Sequence, residues 1–304
     1  MPPYASMSAV LAVIYNPASH GFHQDQVQKA QEYFELHNRA AEFYGTESPS
    51  HATEIVNSLL KGTNSPSMIA GMGGDGTLNE IVQSLVKTEV PMGIIPTGTA
   101  NVLARDLGIP QSIEEACEIL VSGTAKSIPV GKIIRKEPAD SRYFLLVCGA
   151  GWDGLVCKSV NPTIKNSLGK GAYALETLKT IVQANLEHFD VHTAEETFLA
   201  STMIASVTGH YGGNLPITPD ASPFDEKFHI FMLKSRSRRA MVELFGRISL
   251  GKLESMKGMM RSSSAEISIH RPGIPLQIDG DYYGETPASI ERIPNALRVI
   301  CPVT

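Results

Sequence analysis

A chain of 304 residues that is 42% hydrophobic and 19% charged can build packed cores and outgrows a single one, which excludes a disordered chain and favours two domains. A formal net charge of -5 excludes wholesale attraction to nucleic acid, while four scattered cysteines (Cys117, Cys148, Cys157, Cys301) exclude a disulfide framework or a Cys-x-x-Cys zinc pattern. No run approaches the roughly 20 apolar residues of a spanning helix, and Ala9 to Tyr15 lacks the basic flank and cleavage site of a leader, so the expectation is a cytoplasmic protein with at most peripheral membrane contact.

From Ser8 to about Gly123, short apolar runs alternate with helical periodicity. Val10–Tyr15, Glu42–Tyr44, Met68–Ala70 and Met92–Ile95 read as strands. One helix carries Ala52, Ile55, Val56, Leu59 and Leu60 on a stripe and stops at Gly62; another carries Leu78, Ile81, Val82, Leu85 and Val86. A third opens on the capping box of Ser112 and Glu115, buries Ile113, Ala116, Ile119 and Leu120, and stops at Gly123. This predicts a doubly wound, mainly parallel α/β domain over residues 1–127.

Past Ile128 the apolar runs Tyr143–Val147, Phe198–Val207, Phe228–Leu233, Ala265–Ile269 and Leu276–Ile278 are separated by turn-rich links. They predict a mostly antiparallel β-sandwich over residues 128–295, interrupted by helices at Ala172–Leu186 and about Arg238–Leu250. A last run, Ala296–Ile300, could return to the first domain, making 296–304 its final strand.

In open α/β sheets ligands bind beyond the carboxyl ends of the strands. Here three strand ends run into Asn16-Pro17-Ala18-Ser19-His20-Gly21, Gly71-Met72-Gly73-Gly74-Asp75-Gly76-Thr77 and Pro96-Thr97-Gly98-Thr99-Ala100-Asn101. One such loop would be a tight turn; three in succession favour a phosphate crevice, with the amides opening the Leu78 helix as anion donors. Gly71-x-Gly73-x-x-Gly76 matches the dinucleotide fingerprint on paper. It follows the third strand, however, and has Pro96-Thr97-Gly98 where that fingerprint wants an acidic residue, so a nicotinamide enzyme is not expected. Without Gly-Lys-Ser/Thr there is no Walker P-loop, which shifts charge neutralisation to metal and suits Asp75 to a magnesium-linked role.

With these residues in hand, the chain resembles the bacterial lipid kinases related to diacylglycerol kinase and sphingosine kinase. The resemblance rests on Asn16-Pro17-Ala18-Ser19, Gly73-Gly74-Asp75-Gly76-Thr77-Leu78-Asn79-Glu80, Gly98-Thr99-Ala100-Asn101 with Ala104-Arg105, and Gln277-Ile278-Asp279-Gly280. It implies a kinase that uses ATP and Mg2+ to phosphorylate a lipid hydroxyl at the membrane surface, with no nucleic-acid partner and with homodimerisation left open. Asn16, Ser19, Thr46, Gly73, Gly74, Asp75, Gly76, Thr77, Asn79, Thr99 and Asn101 would bind ATP. Asp279 would be the general base, with Asp75 serving catalysis by helping to fix the metal; from the residues alone, Asp279-Gly280 reads as an ordinary hairpin turn. Asp75 and Asp281 would be metal ligands, and Ser222, Asp225 and Lys227 would hold a structural magnesium. The family's usual Asp-Gly-Glu is Asp279-Gly280-Asp281 here, which shifts a ligand or leaves its role to Glu285; Val102 and Val130 stand where carboxylates are usual.

Two other functions fit the same motifs: a kinase for a soluble hydroxyl such as that of NAD or a sugar phosphate, and a catalytically silent nucleotide- or lipid-binding regulator. Arg236, Arg238, Arg239, Met241, Val242, Leu244, Phe245, Arg247 and Ile248 form a basic amphipathic segment, read as a core helix with a basic outer face ahead of a membrane-docking one. His188 and His192 straddle a helix-to-strand change and are not expected to share a metal. Trp152-Asp153-Gly154 reads as a turn and cap ahead of a role lining the lipid cleft, and Arg105, Lys165 and Lys170 as surface charges ahead of phosphate contacts.

Overall fold

The computed structural model describes residues 10–303 apart from 20, 64, 137, 160–186, 214, 251 and 254–255. The helix expected at 172–186, together with His20, Lys165 and Lys170, lies outside the described residues. Residue contacts divide the chain into two units, one running up to Val130 and resuming at Pro294, the other spanning Gly131–Ile293.

The first unit contains β1 (Leu11–Tyr15), α1 (Gln24–Leu36), β2 (Ala41–Gly45), α2 (His51–Lys61), β3 (Met68–Gly73), α3 (Asp75–Leu85), β4 (Met92–Pro96), α4 (Val102–Asp106) and α5 (Ile113–Ser122). The strands pair in parallel in the order β2-β1-β3-β4. α1 packs with α5 and α2 with α3. Strands β3 and β4 are buried throughout, as strands covered on both faces must be, which is why they read as unbroken apolar runs. Ser112 accepts the Glu115 amide to open α5, and Gly62 ends α2, as their capping patterns predict.

Strand β5 (Thr124–Lys136) carries the chain into the second unit. There follow β6 (Ala139–Phe144), β7 (Val147–Gly151), α6 (Trp152–Ser159), β8 (Phe189–Thr193), β9 (Thr197–Ala200), β10 (Thr202–Ser206), β11 (His210–Tyr211), β12 (Leu215–Pro216), β13 (Phe228–Leu233), α7 (Arg238–Ser249), β14 (Met259–Ser264), β15 (Glu266–Ile269), β16 (Pro275–Ile278), β17 (Asp281–Glu285) and β18 (Ala288–Cys301). One antiparallel sheet runs β14-β13-β10-β7-β16-β17; β15 pairs antiparallel with β8 and with the first half of β18. Phe144, Phe189, Met203, Phe228, Ile267 and Leu276 belong to the shared core, giving a β-sandwich.

Two apolar runs that read as single strands are interrupted. Tyr143–Val147 breaks at Leu145 and Leu146, whose amides leave the ladder for a side chain, and Phe198–Val207 breaks at Ser201, whose hydroxyl binds the carbonyls of Leu233 and Ser235. The last strand is longer than its apolar run suggests: it starts in the second unit, and its Val299 pairs in parallel with Met92 of β4 in the first. Met241, Leu244 and Ile248 are buried on α7 while Arg238 and Arg239 are exposed, as the core-helix reading requires. Among the described residues, no helix is long and apolar enough to cross a membrane.

Candidate functional site

Parallel pairing sets the ends of β1, β3 and β4 side by side, through Tyr15 with Met72 and Gly73 with Pro96, so the three loops singled out in the sequence emerge together. They touch backbone to backbone. Thr97 donates its amide to the Gly73 carbonyl at 3.1 Å. A Cβ on Gly98 would lie 2.4 Å from the Gly74 Cα, and one on Gly21 2.5 Å from the Thr97 carbonyl oxygen. Neither loop leaves room for any other residue at these points.

Asn16 closes its own loop by accepting the Ala18 amide at 2.9 Å. The Ser19 hydroxyl is buried and has no hydrogen-bond partner among the described residues, an omission that a ligand oxygen would make good. Thr46 is anchored by its amide to the Tyr15 carbonyl, and Asn101 bridges Gly98 and Gln111. Thr77 and Asn79 are buried on α3, whereas Thr99 and Gly76 are exposed. Gly76 differs from Gly21 and Gly98: a Cβ there would meet nothing within 4 Å.

The two acidic residues of the Gly73–Glu80 motif have tasks that the sequence did not disclose. Asp75 accepts the amides of Val102 (3.1 Å) and Leu103 (3.2 Å), so its carboxylate caps α4 and ties the β3–α3 loop to the β4–α4 loop. Burial pushes the carboxyl up from its ordinary value while these amides pull it down. Glu80 reaches the amides of Ser50 (3.0 Å) and Ala52 (3.2 Å) and so caps α2, whose own N-cap side chain makes no such bond.

In the second unit, Asp279 and Gly280 form the two-residue turn between β16 and β17, both at positive φ (48° and 88°), the type I′ geometry that Asp-Gly favours. The Asp279 carboxylate accepts the amides of Leu145 (2.9 Å), Leu146 (2.9 Å) and Val147 (3.0 Å), and its own amide donates to Val147 at 2.9 Å. That grip is what breaks the strand at Leu145 and Leu146. Beneath it lies a cluster around Asp153, which reads in the sequence as part of a turn and cap but is a buried carboxylate within a helix. Asp153, fully buried on α6, accepts Tyr211 Oη and, at 2.6 Å, Gln277 Nε2. Burial pushes Asp153 up to about 6 against these hydrogen bonds. The available signal was a carboxylate inside the apolar stretch Val147–Val156, a position that demands partners.

Of the residues expected to hold metal, Asp75 belongs to the first unit and Asp281, Ser222, Asp225 and Lys227 to the second. Asp281 is exposed at the start of β17. Asp225 Oδ2 accepts the Ser222 amide (2.8 Å) and faces His229 Nε2 (3.1 Å), while Lys227 lies 3.9 Å from Glu195. The buried Arg292 guanidinium donates to the carbonyls of Asp225 (3.1 Å) and Pro223 (3.0 Å), so a cation of the protein's own holds this loop. Among the described residues no three His, Cys, Asp or Glu side chains gather as a metal group, and the site carboxylates do not by themselves form a magnesium cage. His188 and His192 bond separately, to Lys234 and Thr197.

Comparison with known proteins places this architecture. Residues 10–133 match the diacylglycerol kinase catalytic domain, and residues 147–301 match the YegS C-terminal NAD kinase beta sandwich-like domain. A diacylglycerol kinase of Mycobacterium tuberculosis (strain CDC 1551 / Oshkosh) is 30% identical over 252 residues, covering 82% of this chain and 80% of that protein. A solved structure of a diacylglycerol kinase from Bacillus anthracis str. Sterne shares the fold, with a TM-score of 0.74 at 24% identity over 96% of each chain. With both halves matched in order, and its converged glycine loops and Asp-Gly turn falling within them, the chain belongs to the diacylglycerol kinase family of lipid kinases.

Proposed function

We propose that this protein transfers the γ-phosphoryl group of ATP to a hydroxyl of a lipid. One observation carries the donor half of the reading: three strand-end loops packed backbone against backbone around the opening of α3, with a Ser19 hydroxyl that has no partner among the described residues and an open face at Gly76. Such a concavity of amides and glycines suits a chain of phosphates, and the helix dipole adds to it. Asn16, Ser19, Thr46, Gly73, Gly74, Gly76, Thr77, Asn79, Thr99 and Asn101 are proposed to line or shape this site, with Asp75 fixing its loops. Bound ATP supplies the phosphoryl group; what the protein adds is positioning and amides directed at the phosphates.

Magnesium is assigned to the nucleotide rather than to a protein cage, because Asp75 already serves two amides and few protein ligands are usual for this ion on a triphosphate. In the second unit, Asp279 is proposed to orient the acceptor hydroxyl and take its proton, the three amides fixing its carboxylate in one direction. The lipid acceptor is supported by the family, and a membrane surface is where such an acceptor would be met.

Incubation with radiolabelled Mg-ATP and a whole-lipid extract, resolved by mass spectrometry, tests this directly, with NAD and sugar phosphates offered in parallel. A labelled lipid is expected, and Asp279→Asn should lower its formation at least 100-fold. Label in a soluble acceptor alone would favour the reading that the NAD kinase-like second domain suggests, and no label at all would end the kinase assignment.

A further inference from the structure

The carboxylate of Asp153 is the most deeply buried acidic group described, yet neither the donor loops nor the acceptor base accounts for it. Its setting is closed on every side. Tyr211 donates to Oδ1, Gln277 Nε2 donates to Oδ2 at 2.6 Å, and a Cβ on Gly149 would lie 1.7 Å from Oδ2 and 2.9 Å from Gln277 Nε2. Gln277 is itself fully buried, and its other end, Oε1, accepts the Gly280 amide at 2.8 Å. Gly280 is the second residue of the turn whose first residue is Asp279.

We propose that Asp153 and Gln277 are positioning residues for the reaction, forming a buried relay that fixes the Asp279–Gly280 turn from below while the amides of Leu145–Val147 fix the Asp279 carboxylate from the side. The polarity of the relay follows from chemistry. An amide side chain can present either its oxygen or its nitrogen to Gly280, and only the oxygen can accept a backbone N–H. An ionised Asp153 accepts and never donates, so it draws the nitrogen of Gln277 to itself and leaves the oxygen facing the turn. A neutral apolar residue at 153 would leave the Gln277 amide free to rotate and weaken its bond to the Gly280 amide. The Gln277–Gly280 bond is one of those that hold the Asp279–Gly280 pair in its positive-φ turn, and so set where the Asp279 carboxylate sits. A shift of 1 Å in a catalytic group suffices to cost about 100-fold in rate.

This rests on the reading of Asp279 as the acceptor-side base, and the experiment separates the two. Gln277→Met keeps the volume and removes both ends of the relay; Asp153→Leu keeps the branching and removes the charge. Each is expected to lower kcat with lipid about tenfold and leave KM for ATP unchanged, since the donor loops lie in the other unit. The double variant should be no slower than the slower single variant, because both act through one path. Hydrogen exchange of the peptide containing Gly280 should quicken about tenfold in Gln277→Met. Asp153→Asn, which can still offer an oxygen to Gln277 Nε2 and a donor to Tyr211, should recover most of the loss.

A folded Gln277→Met with wild-type kcat and unchanged exchange at Gly280 would overturn the relay, and this variant decides the matter even where Asp153→Leu does not fold. Full activity in Asp279→Asn, beside faster exchange in Gln277→Met, would instead remove the base reading and the catalytic purpose of the relay together, leaving a tether of the turn.

Discussion

Gly76→Ala is expected to move stability and nucleotide binding in opposite directions. Gly76 is the second residue of α3, is exposed, and has open space where a Cβ would stand. Alanine in a helix is favoured over glycine by roughly 0.5–1 kcal/mol, so the variant should melt higher by about 1–3 °C if its unit behaves as an ordinary domain of that size. A phosphate oxygen bound to an amide of the opening turn would sit about 2.9 Å from its nitrogen, and a new methyl on that face would displace it. Losing one charge-assisted hydrogen bond costs about 1.5–3 kcal/mol, so KM for ATP should rise about 10- to 100-fold. Thermal melting with and without Mg-ATP, together with initial rates across ATP concentration, reads both effects. Gly98→Ala is the contrast: its Cβ would lie 2.4 Å from Gly74 Cα, so it should lose stability and activity together. A Gly76→Ala enzyme that melts higher and keeps its KM for ATP would refute the placement of phosphates against α3.

Asp75→Ala should lower stability by about 1–3 kcal/mol, because the amides of Val102 and Leu103 lose their charged acceptor; urea unfolding without nucleotide measures it, and unchanged stability would return Asp75 to a purely ligand-facing role. Asp153 gives a pH signature. Its carboxyl is pushed up to about 6 in the folded chain against about 3.9 unfolded, so its favourable contribution is whole below about pH 4 and is lost as pH rises through about 6. The loss is about 3 kcal/mol by pH 7. Relative to wild type, Asp153→Asn should therefore gain stability between pH 4 and pH 7; a difference that is flat in pH, or of the opposite sign, would contradict the buried ionised carboxylate.

Much of the first unit was legible because its signals are local. Strands buried on both faces read as apolar runs, and Ser112 and Gly62 mark helix ends by capping chemistry alone. The loops were legible for the same reason, as glycines at strand ends. What remained hidden depended on partners far along the chain. Nothing near Leu145 announces that its amide will turn to Asp279, 134 residues away, and so the strand break there had no local sign. The relay from Asp153 to Gln277 spans 124 residues, and only the isolation of a carboxylate in an apolar stretch hinted at it. The long β18 was underestimated because charged and polar residues such as Glu291, Arg292 and Asn295 interrupt its apolar pattern.

Three acidic residues in the motifs, Asp75, Glu80 and Asp279, share a use that motif reading alone would not assign. Each directs its oxygens at backbone amides: Val102 and Leu103, Ser50 and Ala52, and Leu145 to Val147. A carboxylate held in this way is oriented as firmly as the loop it holds, and removing it loosens loop and charge at once. The proposed chemistry then depends less on carboxylates gathering metal than on carboxylates fixing the loops that present amides to phosphate, as positioning-dominated phosphoryl transfer allows. It follows that replacing these acids should lower stability and activity together, whereas Gly76→Ala, which touches no such fastening, should separate them.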